Sequence, residues 1–218
     1  MKFCLNTKVI KPEENKKIQN AVILLHGYGG DGKDISMLVL NWKRFLKNTV
    51  FLCPDAHEIC EINPSGFQWF DLRSEDPKHI LIESRKAENK LKKYINEIKL
   101  EYKLKNSEIC LSGFSQGCMM SINVGLTSDE KFNCIVGFSG KIIDKNDLSK
   151  RIKKKTNILM LHGDVDPIVP SYNLLDAKDF FIRHKINIDT LMIKNCEHHI
   201  PIEASSAALN FIKKNLIN

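Results

Sequence analysis

The sequence predicts an α/β protein with a mostly parallel sheet covered by helices on both faces, and three observations support this. Unbroken apolar runs recur at residues 21–25, 49–54, 109–112, 134–138 and 157–161, which suits strands buried on both faces better than strands with one wet face. Most of these runs end in glycine-bearing loops, such as His26-Gly27-Tyr28-Gly29-Gly30 and His162-Gly163-Asp164. Stretches with helical spacing of apolar residues alternate with the runs, and that alternation is the pattern of strand–helix–strand units. With 218 residues, 43% of them hydrophobic, the chain can build one sizeable core. No linker, low-complexity tract or solenoid-length repeat divides it, so a single domain over residues 1–218 is expected.

In chain order, the strand at 21–25 runs into the glycine-dense loop and then a helix predicted over 34–47, with Met37, Leu38, Trp42 and Phe45 facing inward. The strand at 49–54 is stopped by Pro54. A long aromatic-rich connection follows, containing Trp69 and Phe70, which either packs over the core or lines a binding site. Residues 80–102 place Ile82, Leu91, Ile95 and Ile98 on one face of an amphipathic surface helix. After the strand at 109–112 comes an apolar helix around 118–124, then strands at 134–138 and 157–161. A helix is expected over 171–184, with Ser171 as its N-cap, followed by a strand at 188–193. A closing helix over 203–216 buries Ala207, Ala208, Phe211 and Ile212.

The composition narrows the functional classes. The formal net charge is +7, much of it in lysine runs such as Lys92-Lys93 and Lys153-Lys154-Lys155, which read as solvated faces. No nucleic-acid-binding motif accompanies them, so a nucleic-acid partner is not expected, while weak attraction to anionic membrane surfaces is compatible with the charge. The seven cysteines are odd in number and lack any C-x-x-C pair, and Cys110, Cys118 and Cys134 sit inside apolar runs. Reduced thiols in a cytoplasmic setting fit that pattern better than a disulfide framework. The first eight residues turn polar too soon for a signal-peptide core, and no run approaches membrane-spanning length.

The chemistry centres on Gly113-Phe114-Ser115-Gln116-Gly117, placed between an apolar strand and an apolar helix. In that context the pattern reads as a nucleophile elbow, a tight strand-to-helix turn that pushes the serine oxygen above the sheet. Glycine at both flanks removes side chains that would strike neighbouring elements. The bland alternative is a glycine-rich turn with an incidental serine, so the rest of the chain must supply a base, an acid and an oxyanion hole. His162-Gly163-Asp164-Val165-Asp166-Pro167 follows a strand; there Asp166 is the candidate acid, and Asp164 is expected to brace the turn. Asn195-Cys196-Glu197-His198-His199 follows the last strand and holds two adjacent histidines, of which His198 is the candidate base. Ser115, Asp166 and His198 then occur in the Ser…Asp…His order of α/β-hydrolases. The backbone N–H groups of Tyr28 and Gln116 are the candidate oxyanion hole, and His26 reads as a structural hydrogen-bonding residue.

These motifs, with Leu24-Leu25-His26-Gly27-Tyr28-Gly29, Trp69-Phe70-Asp71, Phe138-Ser139-Gly140 and His198 followed by Ile200 and Glu203, resemble the carboxylesterase, phospholipase and acyl-protein thioesterase family of small α/β-hydrolases. The resemblance runs from about residue 21 to the C-terminus and implies the α/β-hydrolase fold. It also implies Ser115 as nucleophile, Asp166 as acid, His198 as base, and Tyr28 and Gln116 as oxyanion donors. Two departures stand out: Cys196-Glu197 replaces the glycines usual before the histidine, and Tyr28 replaces a common leucine. The first leaves the choice between His198 and His199 to be settled by geometry.

The expected activity is hydrolysis of carboxylic esters or thioesters through an acyl-serine intermediate, on a small ester, a lipid or an acylated protein, without metal or cofactor. A lysophospholipase of the same fold is the alternative, and a non-catalytic binding protein is disfavoured by the complete set of candidate residues. A dienelactone-type hydrolase would call for cysteine at position 115. Trp69 and Phe70 are expected either as the wall of an acyl-chain site or as core cover.

Overall fold

A computed structural model of the protein describes residues 3–14, 16–74 and 76–216. Seven strands form one sheet: β1 (Thr7–Ile10), β2 (Asn20–Leu25), β3 (Thr49–Pro54), β6 (Ile109–Phe114), β7 (Cys134–Phe138), β8 (Asn157–Gly163) and β9 (Ile188–Ile193). Their order is β1-β3-β2-β6-β7-β8-β9, and every pairing is parallel except the edge pair β1–β3. Two further strands, β4 (Glu58–Cys60) and β5 (Asn63–Gln68), form a separate hairpin.

Helices cover both faces, as the unbroken apolar strands require. Alternate residues of β2 enter different cores. Val22 and Leu24 pack with α1 (Gly32–Ile35), α2 (Met37–Trp42) and α7 (Ile202–Leu216), through Val39, Trp42, Ala208 and Ile212. Ala21, Ile23 and Leu25 pack on the other side with α3 (Pro77–Tyr102) and α4 (Gln116–Thr127), through Leu91, Tyr94, Met120 and Val124. A third cluster joins α4 to α5 (Lys145–Arg151) and α6 (Tyr172–Arg183), through Ile122, Leu148 and Phe181. Each fully buried leucine or isoleucine of this kind contributes about 1.5–3 kcal/mol.

Several expected boundaries shift for local reasons. The helix predicted over 34–47 is instead two short helices that meet at Ser36, whose hydroxyl donates to the Lys33 carbonyl at 2.6 Å and competes with the helical ladder. Val39 and Trp42 face inward there, while Met37 (62% exposed) and Phe45 (43%) do not. Helix α3 begins at Pro77, capped by Asp76, whose carboxylate accepts from the Lys78 N–H at 3.0 Å. Its buried stripe runs through Ala87, Leu91, Tyr94 and Ile98, and it leaves Ile82 on the exposed side. Ser171 occupies the N-cap position of α6 without a capping bond; its hydroxyl donates to the Asp164 carbonyl at 3.2 Å instead. Strand β1, the β4–β5 hairpin and α5 have no counterpart in the sequence-based prediction. Among the described residues, no helix is long and apolar enough to cross a membrane.

Candidate active site

Strand β6 delivers Ser115 to the carboxyl end of the sheet, in the middle of its seven-strand order. The residue has φ 53° and ψ −114°, a left-handed conformation that costs a non-glycine residue of the order of 1–3 kcal/mol. Close packing imposes the turn. A side-chain carbon on Gly113 would lie 2.3 Å from the Gly117 carbonyl, and one on Gly117 would lie 2.2 Å from the Leu25 carbonyl oxygen. The Ser115 N–H donates to the Phe138 carbonyl at 2.8 Å, which ties the elbow to β7.

The loop after β2 lies against the elbow: a side-chain carbon on Gly27 would sit 3.3 Å from Ser115 Cβ. The Tyr28 and Gln116 backbone N–H groups donate to no protein acceptor among the described residues, and Gln116 opens α4, whose N-terminal end favours negative charge. Their surroundings are rigid. The Gln116 side chain accepts from the Trp69 N–H at 2.8 Å and donates to the Phe70 carbonyl at 2.6 Å. Trp69 Nε1 donates to the His26 carbonyl at 3.0 Å. His26 accepts the Ala56 N–H on Nε2 at 2.9 Å and donates from Nδ1 to the Gly27 carbonyl at 2.7 Å, so it is the neutral tautomer with its proton on Nδ1. Burial lowers its pKa from the ordinary histidine value, consistent with that structural role. The hairpin braces the same loop from outside through Gly29 N–H to the Phe67 carbonyl (2.9 Å) and Phe67 N–H to the Gly30 carbonyl (2.8 Å).

Trp69 and Phe70 are therefore core and clamp residues. With 0% and 1% of their surface exposed, they present no wall to an acyl chain, which corrects the substrate-binding expectation for both. Their hydrogen bonds to Gln116 and His26 were not readable from the aromatic pattern alone.

Asp166 lies in the loop after β8, and its carboxylate accepts three N–H groups. Oδ1 accepts the N–H groups of Ile168 (2.9 Å) and Val169 (2.8 Å), and Oδ2 accepts from His198 Nδ1 at 2.7 Å. His162 Nε2 stands 3.4 Å from Oδ2 and donates to the Val169 carbonyl at 2.7 Å. Burial alone would raise the Asp166 pKa; the His198 hydrogen bond and the two backbone donors outweigh it, so the group lies below the ordinary carboxylate value.

The loop after β9 brings His198, and not His199, to Asp166. The His198 ring packs 4.8 Å from the Phe114 ring, beside the elbow. His199 is exposed, with Nε2 3.9 Å from Cys196 Sγ. Asp164 is exposed as well; its carboxylate accepts the Cys196 N–H at 3.4 Å, so it links to the histidine loop rather than bracing its own turn. Among the described residues no hydrogen bond joins Ser115 Oγ to His198, a contact that in such sites commonly tightens only when substrate binds.

The model of the phospholipase/carboxylesterase family matches residues 5–216. The chain belongs to that family. It is similar to acyl-protein thioesterase 1 of Saccharomyces cerevisiae, with 30% identity over 218 residues that cover 92% of this chain and 96% of the relative. The acyl-protein thioesterase 1 of Schizosaccharomyces pombe is 31% identical over 179 residues, covering 77% and 76%. Among solved structures, esterase PE8 superposes with a TM-score of 0.92 at 29% identity, covering 97% of this chain and 99% of that one. Acyl-protein thioesterase 2 of Zea mays, with a TM-score of 0.73 at 20% identity, shares the fold. The chain is an ester hydrolase of the α/β-hydrolase fold, as its motifs led one to expect.

Proposed function

We propose that the protein hydrolyses carboxylic esters and thioesters through an acyl intermediate on Ser115, in the manner of an acyl-protein thioesterase. The observation that carries this reading is the 2.7 Å bond from His198 Nδ1 to Asp166 Oδ2, made beside a serine held at φ 53° on a strand-to-helix elbow. With Nδ1 donating to Asp166, the neutral imidazole leaves Nε2 free to accept the Ser115 proton. Ser115 Oγ attacks the acyl carbon, and the carbonyl oxygen becomes an oxyanion received by the Tyr28 and Gln116 N–H groups. One such donor is worth about 3–4 kcal/mol of transition-state stabilisation. The tetrahedral adduct collapses, the bond to the leaving oxygen or sulfur breaks, and that atom takes the proton from His198 Nε2. His198 then takes a proton from water as it attacks the acyl carbon, the bond to Ser115 Oγ breaks, and Oγ recovers the proton from His198 Nε2 as the carboxylic acid leaves. The thioester part of the reading rests on the thioesterase relatives from two yeasts.

The test pairs a fluorophosphonate probe with a substitution. The native protein should be labelled at Ser115 alone, and Ser115→Ala should fold while losing turnover of p-nitrophenyl butyrate and of a palmitoyl-thioester peptide. Labelling at another residue, or retained turnover in the alanine variant, would overturn the assignment.

A further inference from the structure

Next to the elbow lies a cavity of about 590 Å³ that the reaction scheme has not used. Phe114, Leu38, Ile200 and His198 line it, with Met37 and Ile202 at its lips. It runs from the oxyanion loop to the space between α2 and the start of α7. Its far end is firm: Ile35 is buried, and the Trp42 indole donates to Ser205 Oγ at 3.0 Å, joining α2 to α7. Among the described residues no lysine or arginine lines it, and the one charged lining side chain outside the histidine loop is the Asp34 carboxylate.

We propose that this cavity is the leaving-group subsite, and that it selects esters and thioesters whose alcohol or thiol portion is apolar. The inference rests on the assignment of Ser115 and His198 above. In the acylation step the leaving atom must receive its proton from His198 Nε2, so the group attached to that atom is directed to the histidine side of Ser115. The cavity is on that side, because its wall includes the imidazole itself together with Ile200 and Ile202 from the same loop and the helix after it. The lining chemistry then defines the occupant. An alkyl alcohol, or a thiol flanked by apolar groups, gains by burial against Phe114, Leu38 and Ile200. A phosphodiester headgroup finds no cation there and meets the Asp34 carboxylate, which discriminates against lysophospholipid substrates.

Two ester series separate the two sides of the scissile bond. Butyrate esters of n-alcohols from methanol to octanol vary only the leaving group, and p-nitrophenyl esters from acetate to decanoate vary only the acyl chain. The quantity to compare is kcat/KM, which reports steps up to acylation, before the leaving group is lost. For the native protein it should rise with alcohol length by up to about fourfold per methylene, the full transfer value of a buried CH₂. Leu38→Trp, which narrows the cavity with a bulkier side chain, and Ile202→Asp, at a lip residue 78% exposed and so safe for folding, should each flatten that slope while the slope of the acyl series is kept. Lysophosphatidylglycerol, whose headgroup is a net anion, should be a poorer substrate than an alkyl ester of the same acid. A native alcohol series with no slope overturns the proposal, and so do variants that flatten the acyl series instead, since the cavity would then hold the acyl chain. Failure of the underlying assignment looks different: Ser115 would not react with fluorophosphonate and neither series would turn over.

Discussion

Replacing Asp166 by Asn tests the site most sharply, because the structure dictates how the substitution must fail. The native carboxylate meets two backbone donors on Oδ1 and His198 on Oδ2, three N–H groups within 2.9 Å. An amide offers only one acceptor oxygen. If that oxygen faces His198, the amide NH₂ points at the Ile168 and Val169 N–H groups and leaves both unpaired, at about 1–3 kcal/mol each. If it faces the backbone, the loop is kept and the NH₂ group faces His198 Nδ1, which must then become an acceptor. The second arrangement costs less and wins. The imidazole proton moves to Nε2, where it can no longer accept from Ser115, and turnover should fall by up to ~10⁴, the loss this change produces in a serine protease triad.

Stability should fall less. Two charge-assisted hydrogen bonds become neutral ones, a loss of about 2 kcal/mol in total, or about 4–8 °C in melting temperature for a chain of this size. The pH dependence provides an internal check. Because the native Asp166 pKa is lowered, its stabilisation is fully present above the unfolded carboxylate value near 3.9 and is lost as pH falls through the lower folded value. The stability gap between native protein and Asp166→Asn should therefore be constant at neutral pH and close below about pH 4. Measuring kcat with p-nitrophenyl butyrate and denaturant unfolding from pH 3 to 8 covers both effects. An Asn variant with native turnover, or one that is inactive merely because it is unfolded at pH 7, would refute the reasoning.

Three further outcomes follow from the geometry. His198→Ala should lose catalysis by several orders of magnitude, while His199→Ala, which removes an exposed ring, keeps most of it; the reverse pattern in steady-state assays would transfer the base to His199. Gly117→Ala drives a methyl group to 2.2 Å from Leu25 O and 2.7 Å from His26 O, both backbone atoms at the end of a central strand, and should cost about 1–3 kcal/mol or more; an unchanged urea midpoint would contradict it. Burial lowers the pKa of both His26 and His162, so each is protonated more readily in the unfolded chain. Their contribution is present above the ordinary histidine pKa near 6.5 and lost as pH falls below it, so the unfolding free energy should drop between pH 7 and pH 5, and His26→Asn should shrink that drop.

The parallel sheet was legible because its central strands are apolar on both faces, a pattern that few other structures produce. The elbow was legible because its two flanking glycines answer to backbone contacts near 2.2 Å, a constraint written directly in residue type. Strand β1 was not, since an edge strand with half-exposed residues has no core to advertise it. The hairpin hid behind Asn63-Pro64-Ser65-Gly66, four residues that read as turn; Gly66 is there because a side chain would strike the Gly29 carbonyl at 2.0 Å.

Trp69 and Phe70 expose a different limit. An aromatic pair in a long loop has the same composition whether it lines a cavity or seals a core, and what decides is the set of polar partners. Here the Gln116 side chain spans the backbone of both residues and the Trp69 indole reaches His26, so two candidate site positions, 69 and 70, are tied to a third, 116. The same bonds explain why the departure from leucine at position 28 is tolerable. Both proposed oxyanion donors are backbone N–H groups, and their aim is set by the clamp of His26, Trp69 and Gln116 rather than by the side chain at 28. A site built from main-chain donors is readable in sequence only through the residues that hold the main chain still, and in this protein those are the buried ones.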